Sequence, residues 1–270
     1  MAECIVVTSG KGGVGKTTTA ANLAAGIALA GKTCAVVDAD IGLRNLDVVL
    51  GLENRIVYDL VQVIEGECRL KQALIRDKRV EGLYLLPAAQ TRDKQSVSPD
   101  DMRRVVRDLK EMHDYVIIDC PAGIEQGFKN SIAGADRAII ITTPEVSAIR
   151  DADRIIGLVE AHDLPEPSLI INRYQPGMVE RGDMMNRDDI LEILAIPLIG
   201  IVPDHADILV STNRGTPVVF DERSPVGQAY RRITDRVMGL QVDIPPMDGN
   251  TGVWNLFRRW MGIDHAREAV

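Results

Sequence analysis

Residues 9–18 read Ser-Gly-Lys-Gly-Gly-Val-Gly-Lys-Thr-Thr, and Gly10 to Thr17 fit the pattern G-x-x-x-x-G-K-[ST]. The chemistry of that pattern is phosphate binding. Gly10, Gly12, Gly13 and Gly15, with Lys11 and Val14 among them, let backbone N–H groups close around phosphate oxygens. The N-terminus of the following helix adds partial positive charge. Lys16 is suited to neutralise the β- and γ-phosphates, Thr17 to offer its hydroxyl to Mg²⁺, and Thr18 to complete the loop. The apolar run Ile5–Val7 ahead and the helical pattern behind supply the strand–loop–helix context that the motif requires. The implied activity is hydrolysis of a nucleoside triphosphate.

An ordinary phosphate loop has no need of a second lysine, yet Lys11 lies inside this one. The run Lys-Gly-Gly-Val-Gly-Lys-Thr resembles the deviant phosphate loop of the ParA/MinD group of ATPases. In that group the extra lysine reaches across a dimer to the other subunit's nucleotide. The resemblance therefore implies that Lys11 does so, and that ATP joins two subunits.

Acidic residues end two apolar runs: Val36-Val37-Asp38-Ala39-Asp40 and Val116-Ile117-Ile118-Asp119. An aspartate at the C-terminal edge of a parallel strand faces the ligand crevice. Asp119 is read as the Walker-B carboxylate that holds Mg²⁺ through water, and Asp38 as a member of the metal's outer shell. Asp40 is placed to position the attacking water, since positioning and charge neutralisation supply most of the catalysis in phosphoryl transfer. Asp38–Asp47 and Asp119–Gly123 resemble the group's two switch segments, with Gly123 free to turn its N–H toward a γ-phosphate. The resemblance also implies that Asn172, after Leu169-Ile170-Ile171, binds adenine, and that Arg173, Pro203 and Asp204 line the base pocket.

The composition changes at residue 241. Gln241–Gly252 holds two prolines, two glycines, two aspartates and no basic residue, the makeup of a flexible linker. In the next segment, Val253, Trp254, Leu256, Phe257, Trp260 and Met261 fall within roughly 160° of helical arc, opposite Arg258 and Arg259. Both of the chain's two tryptophans are here. Tryptophan and arginine on an amphipathic helix suit the headgroup boundary of an anionic membrane. One short helix anchors weakly, and two in a dimer bind much more tightly. This segment points to the MinD branch of the group, membrane-cycling ATPases that place the bacterial division site. The resemblance implies a cytoplasmic protein, peripheral on the cytoplasmic face of the cell membrane, with a MinC-like inhibitor and a MinE-like activator as partners. The two tryptophans and the extra stretch Asp264–Val270 depart from the shorter basic tails of that branch.

The elements that must position these residues alternate in type. Strands are expected at Glu3–Thr8, Thr33–Asp38, Gly82–Pro87, Tyr115–Asp119, Arg137–Thr142, Ser168–Asn172 and Leu198–Val202. Their continuous apolar runs suit strands buried on both faces. Helices are expected at Lys16–Ala30, Pro99–Met112, Glu125–Ala133, Val146–His162, Arg187–Leu194, Ala206–Thr212 and Pro225–Leu240. In the fourth of these, Val146, Ile149, Ala152, Ile156 and Val159 form the stripe expected to face the core. Arg150, Asp151, Asp153 and Arg154 form a candidate partner surface. The fold class is α/β, a doubly wound, mostly parallel sheet flanked by helices, of the P-loop and SIMIBI-like kind by resemblance. The expected organisation is an ATPase domain over 1–240, a linker over 241–252, a membrane-targeting helix over 253–263 and a short tail over 264–270.

Composition removes several alternatives. A net charge of −8 opposes DNA as the main partner, because such binding needs a basic face; the competing reading is a ParA-like DNA-partition ATPase. Cys4, Cys34, Cys68 and Cys120 form no C-x-x-C pair, against a zinc site or an iron–sulfur carrier. The apolar settings of Cys4, Cys34 and Cys120 suit reduced core residues. No tyrosine cluster marks a kinase tail, no export signal opens the chain, and no apolar run approaches the length of a membrane span.

Overall fold

The computed structural model describes residues 2–92, 96–162 and 164–246. The membrane-helix reading at 253–263, the short tail and the end of the linker lie outside the described residues. In chain order the strands are β1 (Glu3–Thr8), β2 (Cys34–Asp38), β3 (Ile75–Arg76), β4 (Leu83–Leu86), β5 (Tyr115–Asp119), β6 (Arg137–Thr142), β7 (Ser168–Tyr174) and β8 (Leu198–Pro203). They form one sheet in the order β3-β4-β2-β5-β1-β6-β7-β8, parallel throughout except for β3 against β4.

Successive residues of a strand face opposite sides, and both sides here are covered. Ile5, Val7, Val36, Ile117, Ile139 and Ile170 pack under α1 (Lys16–Leu29) and α11 (Pro225–Val237). Val6, Val37, Val116, Ile118, Ile140 and Leu169 pack under α5 (Pro99–Lys110), α6 (Gln126–Ile132), α7 (Val146–Glu160) and α9 (Arg187–Leu194). Two buried faces explain the unbroken apolar runs. Cys4, Cys34 and Cys120 are buried free thiols within this core. Helix α1 is buried almost all round, pressed against α11 so closely that a Cβ on Gly26 falls 2.4 Å from Thr234 Oγ1. Helix starts follow from local chemistry: Ser98 accepts from Asp101 N at 3.2 Å with Pro99 next, and Asn186 accepts from Asp189 N at 2.8 Å.

Helices α2 (Leu46–Val49), α3 (Leu60–Ile64), α4 (Leu70–Ala73), α8 (Pro176–Glu180) and strand β3 are additions to the expected set. Each is too short to establish a period in sequence. Helix α10 (Asp207–Asn213) lies one residue beyond its expected span, and α11 stops at Val237, before Gly239 with its φ of 87°. Val146, expected in the core stripe, is 64% exposed. It is the first residue of α7, ahead of the turns that pack on the sheet, while Ile149, Ala152, Ile156 and Val159 are buried as expected.

Residues 241–246 run along the fold. Arg236 Nε donates to the Val242 carbonyl at 2.7 Å, and its guanidinium also reaches the carbonyls of Asp243 and, at 2.9 Å, Ile199. The start of the expected linker is thus tied to β8.

Candidate functional site

The site lies where β1, β2 and β5 end. Their register sets Val7 and Asp38 level with Asp119. The glycine loop leaves β1 and enters α1, with left-handed backbone at Gly13 (φ 76°) and Gly15 (φ 101°), a conformation that glycine adopts without strain. Gly10 must also be small: a Cβ there falls 2.3 Å from the backbone oxygen of Asp151, so the loop packs directly on α7.

Lys16 is buried, and its Nζ donates to Ser9 Oγ at 3.0 Å. Ser9 Oγ in turn donates to the Lys11 carbonyl at 2.8 Å. The loop thus orients its own lysine. Asp119 is buried beside the Thr17 hydroxyl, which favours its charged form, and its Oδ1 has no hydrogen-bond partner among the described residues. Burial first, and the charge of Asp38 second, raise the Asp119 pKa far above the carboxylate range. Burial also raises Asp38. An orphaned carboxylate oxygen and a hydroxyl, in a buried site rich in negative charge, fit a hard divalent cation with oxygen ligands. Thr17 and Asp119 are the residues present that fit Mg²⁺.

Asp38 has a second task. Its Oδ1 accepts from Asp40 N at 3.0 Å, and its Oδ2 from Asn45 N at 3.2 Å and Leu46 N at 3.1 Å. It holds the turn from 38 to 46 in place. Asp40 lies on that turn, which shares a small void with Pro121, from the segment after β5, and Gly127 of α6. Gly123 has φ 99°, with nothing within 4 Å of a Cβ there, so its backbone and not crowding calls for glycine.

Lys11 lies apart from this interior. Its Nζ donates to Glu145 Oε2 at 2.7 Å and to Ser147 Oγ at 3.2 Å. The lysine and glutamate side chains are 40% and 53% exposed. The bond to Lys11 holds Glu145 below its ordinary pKa. Glu145 was not among the expected site residues. Its only signal was position, a carboxylate just past the apolar run that became β6 and just ahead of α7.

At the far end of the loop, Asn172 Nδ2 donates to the Val14 carbonyl at 2.8 Å. Arg173 follows with φ 56° and an exposed side chain. Tyr174 of β7 pairs with Pro203 of β8, Asp204 N donates to the Tyr174 carbonyl at 3.1 Å, and Gln175 bonds Asp204 Oδ2 at 2.6 Å. Arg173, Pro203 and Asp204 therefore meet at adjacent strand ends beside the loop. An open groove continues past Arg173 and Asp204 to Glu145 and Met178. On α7, Arg150, Asp153 and Arg154 are exposed, and Asp151 is half-buried with its backbone against Gly10.

A family model described as an AAA domain matches residues 2–165. The septum site-determining protein MinD of Bacillus subtilis is 51% identical over 97% of this chain and 99% of its own. A MinC:MinD cell division complex from Aquifex aeolicus contains a chain 46% identical, with a TM-score of 0.85 over 91% of this chain and 99% of that one. A septum site-determining MinD from Pyrococcus horikoshii, complexed with Mg-ADP, is 28% identical, with a TM-score of 0.80 over 88% and 96% of the two chains. Identity at this level over nearly the whole length, with a shared overall fold, decides between the division-site and DNA-partition readings. The chain belongs to the MinD family of septum site-determining ATPases.

Proposed function

We propose that the chain hydrolyses ATP to ADP and phosphate with Mg²⁺, dimerises on ATP, and in that state binds the cytoplasmic face of the membrane through residues 253–263. The hydrolytic part rests above all on the buried oxygen of Asp119, beside Thr17, that has no hydrogen-bond partner among the described residues. When bound there, Mg²⁺ supplies positive charge to the phosphate oxygens. Lys16 leaves Ser9 for the β- and γ-phosphates. Asp40 orients the attacking water, and Gly123 turns its N–H to the γ-phosphate. Asp38 shapes the first switch and adds its charge to the metal's surroundings. The adenine ring sits against Arg173, Pro203 and Asp204, with the second N–H of Asn172 toward it.

Dimerisation requires Lys11 to exchange Glu145 for the nucleotide held by the second subunit. An exposed ion pair contributes only ~0.2–1 kcal/mol, so bound triphosphate easily outcompetes it. The dimer brings two terminal helices to the bilayer, with Val253, Trp254, Leu256, Phe257, Trp260 and Met261 inserted and Arg258 and Arg259 at the headgroups. ATP favours membrane binding because it favours the two-helix state. A MinC-like inhibitor rides on that dimer, as the Aquifex complex suggests. A MinE-like activator triggers hydrolysis, with Arg150, Asp153 and Arg154 offered as partner contacts.

Sedimentation with anionic vesicles tests this reading, comparing ATP with ADP for the full chain and a chain ending at Gly252. Pelleting with ATP only, lost on truncation, is expected. A full chain that binds ATP yet stays in the supernatant contradicts the membrane part.

A further inference from the structure

Asn172 is buried, with 7% of its surface exposed, at the end of β7. Two bonds of opposite sense hold its amide: Nδ2 donates to the Val14 carbonyl at 2.8 Å, and Oδ1 accepts from Arg173 N at 2.9 Å. Reversing the amide sets N–H against N–H and oxygen against oxygen, so one orientation alone satisfies both. The left-handed backbone of Arg173 (φ 56°) accompanies the second bond, in a region that residues with a Cβ seldom adopt. The fit on the loop side is tight, since a Cβ on Gly15 falls 2.3 Å from Asn172 Nδ2.

A trans peptide points its C=O and the next N–H in opposite directions. Fixing the Val14 carbonyl toward Asn172 therefore fixes the Gly15 N–H away from it. Gly15 is also the residue before α1, where the turn into the helix is made.

We infer that Asn172 is a positioning residue for the phosphate loop: by holding the Val14–Gly15 peptide it sets the loop's N–H groups for phosphate, whatever base is attached. This rests on the reading of residues 10–17 as the ATP phosphate site. It goes beyond the adenine contact, because its consequences survive removal of the base.

The test is calorimetric binding of Mg-ATP, Mg-GTP and Mg-tripolyphosphate to the native chain, Asn172→Ala and Asn172→Asp. The aspartate keeps the acceptor for Arg173 N and loses the donor to Val14. Expected is a loss of about tenfold for tripolyphosphate as well as for both nucleotides, equal in the two variants. Amide hydrogen exchange without ligand is expected to quicken at residues 13–16 in both variants, a readout open even to a variant too weak for calorimetry. Loss confined to ATP, with tripolyphosphate binding and loop exchange unchanged, overturns the inference and leaves Asn172 a base contact only. Full recovery in Asn172→Asp overturns it equally. A native chain that binds none of the three ligands instead fails the phosphate-site reading itself.

Discussion

The phosphate loop carries two lysines in opposite surroundings. Lys16 is buried and oriented by Ser9, within a frame made by β1, β2, β5 and α1 of one chain. Lys11 is half out in solvent, held by an ion pair and a serine hydroxyl. The difference teaches a division of labour. In the proposed function, the groups assigned to phosphate and metal are preassembled, which lowers the reorganisation needed for chemistry. The group assigned to the second subunit is held by contacts cheap enough to exchange. On the proposed reading, buried groups serve the reaction, and a weakly held one serves the switch.

The largest expected effect is on the buried side. Lys16→Ala removes the main positive charge of the interior, and phosphate release is expected to fall by about 10²–10³-fold. A variant that keeps a tenth of native activity breaks the comparison. Next comes Asp38→Ala, which leaves the N–H groups of Asp40, Asn45 and Leu46 without their acceptor. Their hydrogen exchange is expected to accelerate, whereas Asp119→Asn leaves it unchanged. Equal acceleration in the two variants refutes the loop-holding role of Asp38. On the exposed side the effect is small. Glu145→Gln frees Lys11 from a contact of ~0.2–1 kcal/mol, so the dimer is expected to tighten about twofold to fivefold with ATP, with less dependence on salt. A tenfold weakening contradicts the view that Glu145 competes for Lys11.

The smallest effect tests a group on neither side. His113 is buried ahead of β5, with its ring 5.0 Å from Tyr84, and burial lowers its pKa. Its neutral form is favoured in the fold, so its contribution is complete above the unfolded value of about 6.5 and is lost progressively as pH falls from there through the lower folded value. His113→Gln is expected to flatten the thermal stability profile below that pH and to leave dimerisation untouched.

What could be read in advance follows the same division. Ser9–Thr18 is contiguous, and Asp38 and Asp119 end recognisable apolar runs, so the interior was legible from local pattern. The partner of Lys11 lies 134 residues away, and nothing at Glu145 marks it until β6 is set beside β1. The Val14–Asn172 bond, 158 residues apart in sequence, is hidden for the same reason. Helix α2 has four residues and owes its place to Asp38, not to a periodic stripe. Val146 shows the limit of periodicity itself: a stripe gives the side of a helix, not how far along the helix burial extends. Arg236 tied residues that composition alone assigned to a linker, because a composition says nothing of a guanidinium that arrives from α11.

The most direct test of the central claim is the mass of the chain in solution, by analytical ultracentrifugation, with a non-hydrolysable ATP analogue or ADP, for the native protein and Lys11→Ala. The account predicts a dimer only for the native chain with the analogue, and a monomeric Lys11→Ala that binds the analogue as tightly as one native subunit. A Lys11→Ala chain that dimerises like the native protein contradicts it.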